Sequence, residues 1–237
     1  MGIDDKLLVI RKNDFLDKLS REEYDSLNII HNFVAADKNQ YIYFDPQNLN
    51  KLYFIKEGYV KMGYVDDEGN DVVKDILKPG DVFGQFALEQ GNMNGEYALA
   101  YKTDVALCIF TINDFKKLLE RRPELSVAYA KKVGQQLKKI ENRLINLLQK
   151  DVRSRLLYFF WTLSQHHLTV NGEAAVIFEN YLTHDDIARL TGASRQTVTT
   201  LINQFSAEAL IEIDRKNIVI RDIKLLQKEL KVSQATI

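Results

Sequence analysis

Residues 182–205 leave this chain little freedom in local structure: two short helices flank a turn that contains a glycine. Thr183 is a good N-cap, and Asp186 three residues later completes a capping-box pattern with acid at the positive end of a helix. Ile187, Ala188 and Leu190 supply the inner face of that helix. Thr191-Gly192-Ala193 then interrupts the pattern where a left-handed residue lets the chain change direction, and Ser194 caps a second helix. In the second helix Val198, Leu201, Ile202 and Phe205 fall at i, i+3, i+4 and i+7, which gives one inward apolar face. The opposite face starts with Ser194, Arg195 and Gln196 and continues to Thr200 and Asn203; its side chains bond bases or phosphates, and no acid stands between Ile187 and Ala207. The pattern predicts a helix-turn-helix whose second helix enters a DNA major groove N-terminus first. An ordinary helical hairpin with a polar outer face is the alternative reading of these residues alone.

Composition narrows the setting. With 237 residues and 46% hydrophobic content the chain is long enough for one large or two small packed domains. A net charge of −1 supplies no general basic field, so contact with nucleic acid has to rest on locally placed cations. The single cysteine rules out a disulfide framework and a multi-cysteine metal cluster and suits a reducing compartment. The first residues lack a signal-peptide pattern, and no apolar run reaches membrane-spanning length. These features predict a soluble, cytoplasmic protein with no membrane partner.

Taken in order, the chain opens on short amphipathic helices around Phe15, Leu16 and Leu19, with a capping box from Ser20 to Glu23. Short strands follow at 41–44, 52–55, 59–65, 72–77, 97–100 and 105–110, separated by turn signals at Asp45-Pro46, Lys56-Glu57-Gly58, 66–70 and Lys78-Pro79-Gly80. This spacing predicts an antiparallel barrel or sandwich. From Pro123 the period is helical, and Ala130, Val133, Leu137, Ile140, Leu144 and Leu147 form a seam at intervals of three and four. A helix over 123–150 is a rod of about 40 Å, longer than a small domain buries, so the seam predicts pairing with a second copy, the alternative being a helix buried against its own barrel. A further buried helix holds Leu156, Leu157, Phe159, Phe160 and Leu163, and Asn171-Gly172 reads as a hairpin turn between strand-like flanks. After the helix-turn-helix, residues 211–220 read as a small hairpin, with Arg215 and Lys216 either a phosphate-touching wing tip or a solvated turn.

This order of parts resembles the cyclic-AMP receptor protein and fumarate-nitrate regulator (Crp/Fnr) superfamily of bacterial transcription factors. The matching residues are Lys78-Pro79-Gly80-Asp81-Val82-Phe83-Gly84, Asp151-Val152-Arg153-Ser154-Arg155, and Gly192-Ala193-Ser194-Arg195-Gln196-Thr197-Val198. The resemblance implies an α+β chain with three parts: a β-roll sensor domain at 1–122 including the N-terminal helices, a dimerisation helix and hinge at 123–151, and a winged helix-turn-helix at 152–237. It also implies a homodimer on a pseudo-palindromic DNA site and RNA polymerase as a partner. Arg195 then looks like the base-reading arginine, bidentate to guanine, with Gln196 beside it. Thr200 stands where the cyclic-AMP receptor carries an arginine, so base preference should differ there. Thr183, Ser194 and Thr197 match phosphate-bonding positions.

At the effector site the resemblance weakens. Cyclic-AMP binders carry a glutamate after the position of Gly84 and later an Arg-Ser pair; here the corresponding residues are Gln85, Gly95 and Glu96. A carboxylate at Glu96 with no paired cation would repel a phosphodiester by about 1 to 4 kcal/mol, so the expected signal is not a cyclic nucleotide. Lone Cys108 cannot hold an iron-sulfur cluster, and His31, His166, His167 and His184 show no placed axial ligand for heme. Phe83, Phe86, Tyr97 and Tyr101 either line a pocket for an apolar effector or pack as core. No metal site is expected, and the cofactor is left unknown. The competing reading is a sensory ligand-binding module whose C-terminal domain serves protein contacts. An enzyme finds no support, since no phosphate loop, nucleophile elbow or zinc-binding motif occurs.

Overall fold

The computed structural model describes residues 33–44, 50–88, 95–167 and 175–230. The N-terminal helices read from the sequence, the Asp45-Pro46 turn and the Asn171-Gly172 turn lie outside these. The chain forms two compact units, 1–138 and 139–237.

The first unit is an antiparallel roll built on two long strands, β3 (Lys51–Val65) and β6 (Glu96–Thr111). The remaining strands are β1 (Phe33–Ala36), β2 (Tyr41–Phe44), β4 (Asp71–Leu77) and β5 (Val82–Gly84). The order is β1-β6-β3-β4, with β2 also on β6 and β5 also on β3. Period-two alternation sorts β3 onto two cores. Leu52 and Phe54 join Val82, Cys108 and Phe110, while Tyr53 and Ile55 face Val60, Met62, Leu77 and Phe83. The first core is closed by Phe115 and Leu118 from α1 (Ile112–Arg121) and by Leu125 and Tyr129 from the start of α2 (Pro123–Gln149).

Here the structure corrects the strand reading. The segments 52–55 and 59–65 are one strand, as are 97–100 and 105–110. Lys56-Glu57-Gly58 is a bulge, because the β3–β6 register jumps between Ile55/Glu57 and Glu57/Tyr59 while the strand runs on. Gly58 has φ +80°, and a Cβ there would lie 2.2 Å from the Asp104 carbonyl oxygen, so the glycine permits a close crossing of two strands rather than a reversal.

The second unit holds the C-terminal part of α2, then α3 (Val152–Ser164), α4 (His184–Thr191), α5 (Arg195–Ala207) and α6 (Ile223–Leu230). A small antiparallel sheet has the order β7-β9-β8, from β7 (Val176–Glu179), β8 (Ile211–Ile213) and β9 (Asn217–Ile220). Its core gathers Leu156, Leu157 and Phe160 of α3, Ile187 of α4, Val198, Ile202 and Phe205 of α5, and Ile218 and Ile220 of β9, all buried.

The apolar seam of α2 is uncovered along much of its length. Leu137, Ile140 and Leu144 are 67%, 57% and 55% exposed in the single chain, an arrangement that costs solvation unless a partner covers it. Val133 departs from the seam and packs partly against the roll core. No helix among the described residues is long and apolar enough to cross a membrane.

Candidate nucleic-acid interface

The cap on α4 forms as its residues dictate. The Thr183 Oγ1 accepts from the Asp186 backbone N–H at 3.1 Å, and Asp186 Oδ2 accepts from the Thr183 N–H at 2.8 Å and from its hydroxyl at 2.6 Å. The Thr183 hydroxyl proton is therefore spent inside the cap. The helix ends at Gly192, which has φ +65° and ψ +44°, a left-handed conformation that a glycine adopts without a Cβ penalty. Ser194 caps α5 by accepting from the Thr197 N–H at 3.0 Å, and the two hydroxyls lie 2.8 Å apart. Only one of that pair can donate to the other, so one hydroxyl proton is left to point outward.

Buried Val198, Ile202 and Phe205 hold the inner face of α5 down, which leaves Arg195, Gln196, Thr200 and Asn203 exposed on the other. The first turn contains no acid, so the positive end of the helix dipole and the Arg195 charge add at one place. Four other arginines of this region are engaged. Arg153 makes a two-point contact with Glu208 and lies 5.0 Å from the Phe205 ring, Arg189 pairs with Asp185, and Arg221 pairs with Glu212. Arg155 donates to backbone carbonyls. Among the described residues Arg195 and Arg215 make no ion pair.

Arg215 and Lys216 sit at the exposed tip of the β8–β9 hairpin. Asp214 shapes that tip: its Oδ1 accepts from the Lys216 and Asn217 N–H groups at 2.6 and 2.7 Å, which holds its carboxyl below the usual range. Asn180 anchors the tip from the other side, its Nδ2 donating to the Asp214 carbonyl and its N–H to the Lys216 carbonyl, each at 2.7 Å.

His184, read from the sequence as a surface or packing residue, ties the two helices together. Its Nδ1 lies 3.0 Å from Thr199 Oγ1, which itself donates to the Arg195 carbonyl at 3.0 Å. Burial, and then the nearby Arg195 charge, push its pKa down. Sequence periodicity gives no sign of this link, because the contact joins the first residue of one helix to the fifth of the next.

The residues read as an effector pocket are only partly brought together. Phe83 stacks on Tyr53 at 4.8 Å, and Tyr43 lies over Phe83 at 6.2 Å while its hydroxyl donates to Glu96 at 2.7 Å. Gln85 is buried, with its N–H on the Lys51 carbonyl. Phe86 belongs to the other core, its carbonyl accepting from the Tyr129 hydroxyl at 2.8 Å. Tyr97 donates to Asp71 at 2.5 Å and meets Tyr41 edge to face. The expectation that Glu96 lacks a cation is overturned. Its buried carboxylate is bonded to Lys74, because β3 pairs with β4 and β6 on either side and so carries Lys74 and Glu96 into reach. Burial pushes the Tyr43 hydroxyl pKa up, with the Glu96 charge adding to it. Burial likewise pushes the Cys108 thiol up to about 12, a packed group rather than a reactive one. No group of three or more potential metal-ligating side chains gathers among the described residues.

Residues 33–122 match the cyclic nucleotide-binding domain and residues 154–229 the Crp-like helix-turn-helix domain. The global nitrogen regulator of Nostoc sp. is 27% identical over 195 residues, covering 81% of this chain and 86% of that protein. The CRP-like cAMP-activated global transcriptional regulator of Mycobacterium tuberculosis is 27% identical over 179 residues, covering 76% and 79%. Among solved structures, a transcriptional regulator of the CRP/FNR family from Thermus thermophilus superposes with a TM-score of 0.61 at 26% identity, covering 84% of this chain and 98% of that one. With a cyclic-nucleotide-binding-like roll followed by a Crp-like helix-turn-helix, the chain belongs to the Crp/Fnr family and is a transcription regulator of that type.

Proposed function

We propose that the chain acts as a homodimer on a pseudo-palindromic site, with half-sites about one helical turn apart. Arg195 reads a guanine through its O6 and N7, Gln196 reads a neighbouring base, and Thr200 sets a preference of its own. Ser194 and Thr197 hold phosphate, and Arg215 and Lys216 touch it from the wing. Thr183 contributes mainly through its cap, since its hydroxyl would have to leave Asp186 to reach a phosphate. The observation that carries this reading is the exposed Arg195 at the acid-free start of α5, without an ion pair among the described residues while its neighbours are engaged.

The division of labour follows the sequence: sensing in 1–122, pairing through 123–151, and DNA binding in 152–237. The signal is other than a cyclic nucleotide. With Glu96 paired to Lys74 and Tyr43 its charge does not bear on this, and the reading is supported by residues 80–100, which contain no lysine or arginine to meet a phosphate. This role places the protein in the cytoplasm with RNA polymerase as a partner and no catalysis of its own.

Selection of bound sequences from random DNA with wild type and Arg195→Ala tests the reading. The expected result is a two-fold symmetric site, with the substitution costing about 1 to 3 kcal/mol and relaxing one base position. Failure to enrich any site, with or without cell extract to supply an effector, favours the ligand-binding module. Micromolar binding of cyclic AMP or cyclic GMP in a titration would overturn the assignment of the signal.

A further inference from the structure

Three carbonyls from the ends of two helices converge on one guanidinium. Arg155, in the first turn of α3, donates from Nη1 to the Lys150 carbonyl at 2.9 Å, from Nε to that of Thr191 at 2.9 Å and from Nη2 to that of Gly192 at 3.0 Å. Lys150 directly follows α2, Thr191 ends α4, and Gly192 is its C-cap. Helix C-termini leave carbonyls without intrahelical partners and carry the negative end of the dipole, so a planar cation with donors in fixed directions suits both at once. Beside this contact Leu147 of α2 lies against the turn, such that a Cβ added at Gly192 would stand 2.8 Å from Leu147 Cδ2. Leu147 thus reaches the turn with one methyl while remaining 42% exposed, whereas Leu148 is 76% exposed and stands one helical step beyond Leu144.

We infer that Arg155 and Leu147 are positioning residues that fasten the turn before the recognition helix to the end of the paired helix, and so set the half-site spacing the dimer accepts. The inference rests on the reading of a DNA-binding dimer given above. Neither residue belongs to the outer face of α5. A dimer whose recognition helices are each held to the helix at the two-fold axis cannot adjust their separation, and it discriminates against altered spacing for that reason.

The test uses the full chain and the site enriched by the wild type. Affinity is measured for that site, for versions lengthened or shortened by one base pair, and for DNA with a single half-site, together with the dimer dissociation constant. Arg155→Lys keeps the charge but cannot span three carbonyls. It is expected to lower affinity for the native spacing by about tenfold, the loss of a charge-assisted hydrogen bond. The preference for native over altered spacing should shrink, while half-site affinity and dimerisation stay within about twofold of wild type. Leu147→Ala should move spacing preference in the same direction, and it carries the test alone if Arg155→Lys does not fold. Leu148→Ala should weaken the dimer and leave spacing preference unchanged. Retained spacing discrimination in both Arg155→Lys and Leu147→Ala overturns the inference, and so does an equal loss on half-site and full site, which marks a merely structural role. If the wild type enriches no site, the DNA-binding reading itself fails; if it enriches one and the variants keep its spacing, only the positioning role fails.

Discussion

In the β-roll the buried Glu96 carboxylate is met by Lys74 and the Tyr43 hydroxyl, whereas in the helix-turn-helix Arg195 stands exposed with no ion pair among the described residues. The two regions solve opposite problems. A buried charge without a partner costs several kcal/mol, so the roll completes its polar network internally. An exposed charge costs little, and one left unmatched at a helix N-terminus is ready to meet an anion brought by a partner. Substitutions should accordingly trade places between the regions, harming stability in the roll and binding at the helix.

The largest stability effect is expected at Glu96. Glu96→Ala leaves the buried Tyr43 hydroxyl only the weakly accepting Met62 sulfur, 3.9 Å away, and should cost about 2 to 4 kcal/mol in denaturant unfolding, with the half-exposed Lys74 keeping the figure below that of a fully buried pair. Arg195→Ala sharpens the contrast, because its stability should stay within about 0.5 kcal/mol of wild type. Equal destabilisation by the two would break the comparison.

Gly192→Ala comes next. The left-handed conformation and the approach of Leu147 Cδ2 together should cost about 1 to 2 kcal/mol in thermal or denaturant unfolding. Thr183→Ala removes one side of the capping box and should cost about 1 kcal/mol, with Thr183→Ser recovering most of it.

The smallest effect concerns pH. The pKa of His184 is lowered by folding, through burial first and the Arg195 charge second, so the folded state takes up its proton less readily than the unfolded chain. Its contribution to stability is present above the unfolded value, near 6.5, and is lost as pH falls from there through the folded pKa. Unfolding titrations of wild type and His184→Asn between about pH 5 and 8 check this: the wild type should lose stability toward the acid side more steeply than the variant.

These regions also differ in how openly the sequence states them. Thr183, Asp186, Gly192 and Ser194 act on neighbours within a few residues, so the caps and the turn could be read directly. The roll could not be read so far. Gly58 looks like a turn signal and is a bulge, because what it accommodates is the backbone of Asp104, more than forty residues away. Lys74 and Glu96 share no local pattern, since each is placed by its own strand's register with β3. Leu147 fits the seam by spacing, yet its side chain meets Gly192, a contact made by the fold of the second unit. Helical period records which face is apolar but not which neighbour covers it.

The central claim is that Arg195 reads a base rather than serving only as a positive charge. Wild type and Arg195→Ala should be measured on the selected site and on the same site with the contacted guanine replaced. A base-reading arginine predicts that the base change costs the wild type about 1 to 3 kcal/mol and costs Arg195→Ala almost nothing, a coupling of similar size. If the two losses simply add, Arg195 contacts backbone alone, and the assignment of the recognition helix is contradicted.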